Sequence, residues 1–393
     1  MALKSLKILY FCNGSGVSPV KCGGGTRIVE IIKRLPISIQ ITIVGTKGDK
    51  LLFENEKIKR PYNFVLVKTL FKKEKNRLDR MLGYIISTLH SLFLIPNLAY
   101  AGIVYSPSDL FCDIIPGFIY KLINKSKWIV ISHHLCPPPW KRKGNFLLNS
   151  ISFVSQRLSF FIIGLKADKI LVYNSPQAKN IIRIIQKTSF KKLLFKKVVN
   201  GVNFKMINSI SQQKLVYDGL FIGGFRASKG IFDLIDIWQQ VINYLPQAKL
   251  AIVGQGSADV ANKLKTKIKK MGLNKNIILT GYLDQLKLYQ LMKSSKIYLN
   301  PSYEEGWGII IREALAASLP VISYNLPIIS KKSFKEVTLI PIGNKKAFAK
   351  MILTHLNKKA FYKKKKKEVA KRKKDYPWTK IVSQEIRIFN NAL

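Results

Sequence analysis

Glu305 and Glu313 lie eight residues apart in a chain of 393. Between them Gly306 and Gly308 bracket Trp307, and Ile309 begins an apolar stretch that Pro320 stops. A glycine-rich turn that opens a helix leaves backbone N–H groups without partners at its N-terminus. Those groups and the helix dipole favour an anion, most often a phosphate. The two carboxylates do not look like a glycosidase pair. An all-helical step of eight residues would span roughly 12 Å, beyond the ~5–9.5 Å that glycosidase carboxyls keep. Upstream, Lys229 precedes an apolar helical stretch, with Arg226 three residues before it, and both are cations suited to a phosphate. His133 and His134 follow an apolar strand at 128–132, where an imidazole can bind a hydroxyl or move a proton.

The elements that must hold these residues alternate. Strands are expected at 8–11, 39–44, 64–67, 103–105, 128–132 and 169–173, with helices between them. A glycine-rich loop at Gly23, Gly24 and Gly25 leads into the first helix. The pattern restarts after residue 200. Strands follow at 220–222, 250–253, 277–279, 297–299 and 321–323, and helices cover 231–245 and 309–317. Such alternation implies parallel sheets covered by helices on both faces. The fold class is therefore α/β, with two Rossmann-like domains, a hinge near residue 200 and an active site expected in the cleft between them. The boundaries read as 1–200, 201–377 and a C-terminal helix over 378–393.

Lys and Arg number 67 against 21 Asp and Glu, a net charge of +46. That balance points to polyanionic surroundings, whether nucleic acid, an anionic membrane face or phosphorylated substrates. The basic runs at 363–367 and 371–374 lack interleaved aromatics, which weakens a nucleic-acid reading. Residues 81–108 carry no Asp, Glu, Lys or Arg. A helix at 78–95, broken at Pro96, fits a core helix, a helix dipping into a bilayer surface or, least well, a membrane span. The four cysteines (Cys12, Cys22, Cys112, Cys136) form no CxxC pair, which fits a reducing cytoplasm. No signal peptide is expected, because the first residues lead straight into a strand. There is no HExxH, no DxD and no Cys/His cluster, so no metal site is expected.

The motif order resembles the retaining glycosyltransferases of family 4, the group 1 glycosyl transferases with the GT-B fold. It runs Phe221-Ile-Gly-Gly-Phe-Arg-Ala-Ser-Lys-Gly230, Leu250-Ala-Ile-Val-Gly-Gln-Gly256, Leu279-Thr-Gly-Tyr282 and 300–323, with Glu305 and Glu313 matching the E-x7-E signature. The first half agrees more loosely, through Gly23–Gly25, His133-His134 and Asn200-Gly-Val. The resemblance implies a metal-independent transfer of sugar from a UDP- or GDP-linked donor to an acceptor hydroxyl, with no cofactor. It implies Glu305 on the sugar, Glu313 on the ribose, and Lys229 with Arg226 on the diphosphate. Gly306, Trp307, Gly308, Ile309, Gly224 and Gly254 would line the nucleotide sugar, with Gly24 and Gly25 toward it from the first domain. Gly281 and Tyr282 would contact the base, and one of His133 and His134 the sugar, His134 aligning better. Gly224 stands where the family usually carries the arginine, and the family's Gly-Gly segment is replaced by Leu326-Pro-Ile-Ile-Ser-Lys-Lys-Ser.

The expected partners are a nucleotide sugar, a glycan or lipid-linked acceptor and an anionic membrane surface, with no specific nucleic acid. The expected location is the cytoplasm, at the inner face of the cell membrane. Alternatives are a nucleotide-sugar epimerase or phosphorylase on the same fold, or a basic membrane- or nucleic-acid-binding protein with a dead site.

Overall fold

The computed structural model describes residues 6–17, 23–71, 74–329, 334–370 and 376–392. Cys22 and the basic run 371–374 lie outside them, as does the second half, 330–333, of the segment that replaces the family's Gly-Gly stretch. The chain forms two compact units, Met1–Asn200 with Trp378–Leu393, and Gly201–Pro377.

Unit 1 is built on seven strands: β1 (Lys7–Cys12), β2 (Gln40–Gly45), β3 (Asn63–Leu66), β4 (Ile103–Ser106), β5 (Lys127–Ser132), β6 (Lys169–Tyr173) and β7 (Phe195–Val198). All pair in parallel, in the order β3-β2-β1-β4-β5-β6-β7. Its helices are α1 (Gly23–Ile32), α2 (Lys47–Asn55), α3 (Arg77–Leu94), α4 (Phe111–Asn124), α5 (Phe146–Lys166) and α6 (Ala178–Lys187). Helices α3, α4, α5 and α6 pack side by side in one layer. Near-continuous apolar strands such as β5, buried from Trp128 to Ser132, fit a sheet covered on both faces.

Unit 2 repeats the plan with helices α7 (Phe204–Ser209), α8 (Ile231–Ile242), α9 (Ala258–Lys270), α10 (Gln285–Lys293), α11 (Ile309–Ala316), α12 (Lys345–Asn357) and α13 (Lys359–Ala370). Its strands are β8 (Tyr217–Ile222), β9 (Leu250–Val253), β10 (Ile277–Gly281), β11 (Ser295–Asn300), β12 (Val321–Tyr324) and β13 (Thr338–Ile340). The parallel order is β10-β9-β8-β11-β12-β13. Helix α8 buries Ile231, Leu234, Ile235, Ile237, Trp238 and Val241, an i, i+3, i+4, i+7 pattern. Trp238 occupies the space beside Gly219, where a Cβ would come within 2.8 Å of the indole.

The last helix, α14 (Trp378–Asn390), belongs to unit 1 and packs on α1. Its anchor is polar and buried. Arg27 on α1 meets Glu385 at 2.5 Å, with both side chains almost wholly excluded from water. Arg27 also donates to the Val199 carbonyl at 2.7 Å, and Tyr105 donates to the other Glu385 oxygen at 2.8 Å. Burial alone would lower the Arg27 pKa, but Glu385 and Tyr105 hold it above its ordinary value. The guanidinium therefore stays charged and depends on its partner. Glu385→Gln leaves that charge without a counter-ion and is expected to destabilise unit 1 by about 3–5 kcal/mol. Urea unfolding would check this, and an unchanged midpoint would show that the pair does not anchor α14.

Candidate functional site

In a doubly wound sheet the strand order reverses at one point, and ligands bind outside the carboxyl ends of the strands there. In unit 2 that point lies between β8 and β11. The loops after these strands carry Gly224, Arg226, Lys229, Glu305 and Gly306. Lys229 donates to Glu305 Oε1 at 2.7 Å and to the Glu304 carbonyl at 3.1 Å. The two residues are 76 apart in sequence, so the pairing comes from the adjacency of β8 and β11.

Backbone contacts hold these loops together. Gly230 has φ 67°, and a Cβ there would lie 1.9 Å from the Pro301 carbonyl. Gly254 has φ 140°, and its Cβ would lie 2.0 Å from the Gly223 carbonyl. The Gly254 N–H donates to the Gly281 carbonyl at 3.0 Å, and the Tyr303 N–H to the Ser228 carbonyl at 2.8 Å. Gly281 closes β10 with φ 73°, and partly buried Tyr282 follows it.

Both helices that open here start from a left-handed glycine with no side-chain cap, α8 from Gly230 and α11 from Gly308. The first-turn N–H groups, Ile309 among them, are therefore left to the solvent side or to an anion. Trp307 is buried, and the Arg312 guanidinium lies 4.4 Å from its ring centre and 4.6 Å from that of Phe334. This stack fixes Trp307 against α11.

Arg226 is exposed, with no ion pair among the described residues. Its side chain folds back over Gly224, where a Cβ would stand 3.5 Å from Nε and 3.8 Å from Nη2. The guanidinium thus occupies space beside the position where the resemblance places an arginine. Glu313 is buried. Its Oε1 accepts from the Tyr289 hydroxyl at 2.7 Å and from Gln285 Nε2 at 3.2 Å, both on α10. Burial, then the charges of Glu305 and Glu313, push the Tyr298 phenol above its ordinary range, which puts both carboxylates near the end of β11.

The other predicted residues lie in unit 1: the glycines open the helix that follows β1, and the histidines follow β5, one strand beyond the switch point between β1 and β4. Gly23, Gly24 and Gly25 are not a loop but the first turn of α1. The first turn of a helix needs no intrahelical N–H partners, so glycines are tolerated there. Gly24 also has no room for a side chain, because a Cβ would lie 2.8 Å from the His133 ring. His133 is therefore the histidine that meets the glycine turn. Of His134, the carbonyl accepts from Gln156 at 2.8 Å. His133 Nε2 lies 2.6 Å from the Pro107 carbonyl. A carbonyl only accepts, so Nε2 carries the proton and Nδ1 is the acceptor. Burial lowers the His133 pKa, partly offset by Asp109 and the Pro107 carbonyl.

Sequence reasoning missed the residues that hold the others in place: Tyr289, Gln285 and Arg312. Tyr289 sits 24 residues from Glu313, with nothing in its spacing to mark it. Among the described residues, no group of three His, Cys, Asp or Glu could hold a metal ion.

Both units are Rossmann-like parallel sheets, and together they make the fold GT-B. Residues 206–375 match the family of glycosyl transferases group 1. The chain is 26% identical over 208 residues to a phosphatidyl-myo-inositol mannosyltransferase of Mycobacterium leprae, covering 50% of this chain and 53% of that one. It thus spans about half the length of that curated relative. Among solved structures it is similar to sucrose-phosphate synthase from Thermosynechococcus elongatus (TM-score 0.73, 16% identity, 98% of each chain). Anabaena HepE in complex with UDP and glucose is similar as well (TM-score 0.70, 16% identity, 98% of this chain, 100% of that one).

The carboxyl ends of the unit 1 strands also bury two acids. Asp113 accepts from the Asn13 N–H at 2.7 Å and from the Ser108 hydroxyl, and burial pushes its pKa up to about 8. Burial likewise pushes Asp49 up to about 6. A raised folded-state pKa means that the native state holds protons which the unfolded state releases above about pH 4. The stabilisation is full below that pH and is lost as pH rises toward 8. Asp113→Asn should flatten this fall in stability between about pH 5 and about pH 8. Unfolding midpoints across that range would show it, and an unaltered slope in the variant would refute the assignment.

Proposed function

We propose that this protein is a glycosyltransferase that moves a sugar from a nucleotide-diphosphate donor to an acceptor hydroxyl. The observation that carries the reading is the convergence of Lys229 and Glu305, 2.7 Å apart, between two glycine-opened helices, within the segment that matches glycosyl transferases group 1. The charge of a departing diphosphate needs fixed donors, and Lys229, Arg226 and the first turn of α11 supply them. We assign the ribose hydroxyls to Glu313, whose carboxylate is buried and oriented by Tyr289 and Gln285.

In this reading the reaction needs no metal, and it retains the configuration at the anomeric carbon. The bond from that carbon to the diphosphate oxygen breaks, and a bond to the acceptor oxygen forms on the same face. A donor phosphate oxygen takes the acceptor proton, and Glu305 stabilises the positive charge that develops on the sugar. Unit 1 takes the acceptor, with His133 Nδ1 available to accept from a hydroxyl. The donor carries uridine or guanosine diphosphate. The acceptor is a lipid-linked or cell-envelope glycan at the inner face of the cell membrane. The relative from Mycobacterium leprae, named for a phosphatidylinositol acceptor, supports that choice.

Glu305→Ala is expected to cut donor-dependent sugar transfer by about 10²–10³-fold or more in a folded protein. Release of nucleotide diphosphate from a panel of UDP- and GDP-sugars would measure it, and near-normal turnover would remove Glu305 from the chemistry. For Glu313→Ala the expected change is in binding. Loss of charge-assisted hydrogen bonds worth ~1.5–3 kcal/mol should weaken nucleotide affinity by about 10–100-fold. Unchanged affinity by calorimetry would rule out the ribose role.

A further inference from the structure

Helix α3 and the first two-thirds of α5 are patterned inside out. On α3 the buried side chains are Ser87, Thr88 and Ser91, whereas Leu78, Leu82, Ile85, Leu89 and Phe93 are exposed, Phe93 to 74%. That spacing makes one stripe along a helix. On α5 the buried side chains are Asn149, Gln156 and Ser159 along its first two-thirds and Phe160 and Ile163, which enter the core, in its last turns, while Leu147, Ile151, Val154, Leu158 and Phe161 form a second exposed stripe. A helix packed on a core in water turns its apolar stripe inward and its polar residues outward. Helix α3 and the first two-thirds of α5 do the opposite.

The stripes belong to one surface of unit 1. Helix α4 packs against both helices. Arg77 donates to Asn149 Oδ1 at 3.2 Å and to Ser152 Oγ at 3.3 Å, which joins the start of α3 to that of α5. A groove of about 400 Å³ between α4 and α5, lined by Phe111, Ile115, Leu158 and Phe161, extends the apolar face. At the N-terminal ends Lys75, Lys141 and Lys143 are exposed, and Trp140 is 72% exposed beside them. Lysine and tryptophan at the rim of an apolar face suit the headgroup layer of a bilayer, where ammonium groups meet anionic phosphates. The charge of +46 favours that partner over a second copy of the same basic chain.

We propose that α3 and α5 form a platform that lies on an anionic lipid bilayer, with both stripes sunk into the interface and the lysines at headgroup level. Each helix is long and apolar enough to cross a membrane, with 21 residues in each candidate segment. Their inward faces, however, are tied to the fold. Ser91 Oγ accepts from Asn13 Nδ2 at 3.1 Å. Gln156 donates to Asp109 at 2.9 Å and accepts from the Cys136 N–H at 2.7 Å. Drawing either helix across a bilayer would break these buried hydrogen bonds, whereas lying on the surface keeps them. The platform gives a place to the membrane contact in the reading above, and its test does not use the transfer reaction.

The test is flotation of the full chain with vesicles of phosphatidylcholine containing about one-third phosphatidylglycerol. The wild-type chain is expected to float with them and to bind pure phosphatidylcholine less well. The variant Leu82→Ser/Leu89→Ser/Ile151→Ser/Leu158→Ser should bind about tenfold more weakly or worse, with unchanged circular dichroism and unfolding midpoint. Lys141→Glu/Lys143→Glu should lose the preference for the anionic vesicles. The platform is overturned if the wild-type chain stays in the soluble fraction, or if the four-serine variant floats as well as the wild type. A wild-type dimer that the serines make monomeric would assign the face to a second copy. Resistance to alkaline carbonate extraction from the membranes of expressing cells would replace the platform by a span. Donor hydrolysis measured without vesicles tests the transferase reading separately, so either can fail alone.

Discussion

Backbone meeting backbone without a Cβ between them is the constraint on which unit 2 depends. The Pro301 carbonyl approaches Gly230, and the Gly223 carbonyl approaches Gly254, so closely that an alanine at either glycine would overlap an oxygen. Both glycines also sit at positive φ, where a side chain adds strain. These contacts clamp the loops after β8, β9 and β11 onto one another. Because Pro301 begins the loop that carries Glu305, and Gly230 follows Lys229, the clamp fixes the distance between the two side chains. A displaced loop would separate the pair while leaving both residues in the sequence.

The two carboxylates of unit 2 are held in different ways, and the difference bears on what each can do. Glu305 is held by a cation, on a lysine whose side chain remains partly exposed. An incoming diphosphate carries more negative charge than one carboxylate and can compete for Lys229. Glu313 is held by neutral donors, the Tyr289 hydroxyl and the Gln285 amide, inside a buried pocket. Neutral donors orient a carboxylate without cancelling its charge, so its capacity to accept from hydroxyl groups is kept. The same logic applies to His133 in unit 1. The Pro107 carbonyl fixes the tautomer, and burial favours the neutral ring, so Nδ1 is presented as an acceptor.

The periodicities made most of the fold legible. The order of strands and helices in both sheets follows from apolar runs alternating with amphipathic stretches, because a parallel sheet buried on both faces writes itself as near-continuous Val, Ile and Leu. The edge strands β7 and β13 were not legible. β7 reads Phe-Lys-Lys-Val, whose lysines are exposed at the edge and hide its strand character. Within the site, residues near the turns announced themselves through glycine, charge and spacing. Their supports did not, since Tyr289, Gln285 and Arg312 act through contacts that only tertiary structure creates. Between His133 and His134 the family resemblance favoured His134, whereas it is the His133 ring that lies against the glycine turn. Adjacent residues beyond a strand end share composition, and only the missing Cβ of Gly24 shows which ring lies against it.

For α3 and α5, composition established that the helices are apolar and left open which side faces in. A core helix, a span and a surface helix can share one hydropathy. What separates them is the identity of the inward residues, and along α3 and up to Ser159 of α5 those are serine, threonine, asparagine and glutamine, several of them bonded into the fold, with Phe160 and Ile163 anchoring the end of α5 in the core. A helix anchored by its polar side has its apolar side left over. In water that side is a standing cost of exposed area, at roughly 25 cal/mol per Å². A bilayer interface removes the cost without disturbing the anchor, and the exposed lysines beside Trp140 add an attraction that reaches only about 10 Å at ordinary salt. The basic charge is thus effective only once the apolar face is already close to the lipid. The two features therefore describe one contact: the stripes hold the protein on the surface, and the lysines choose which surface it is.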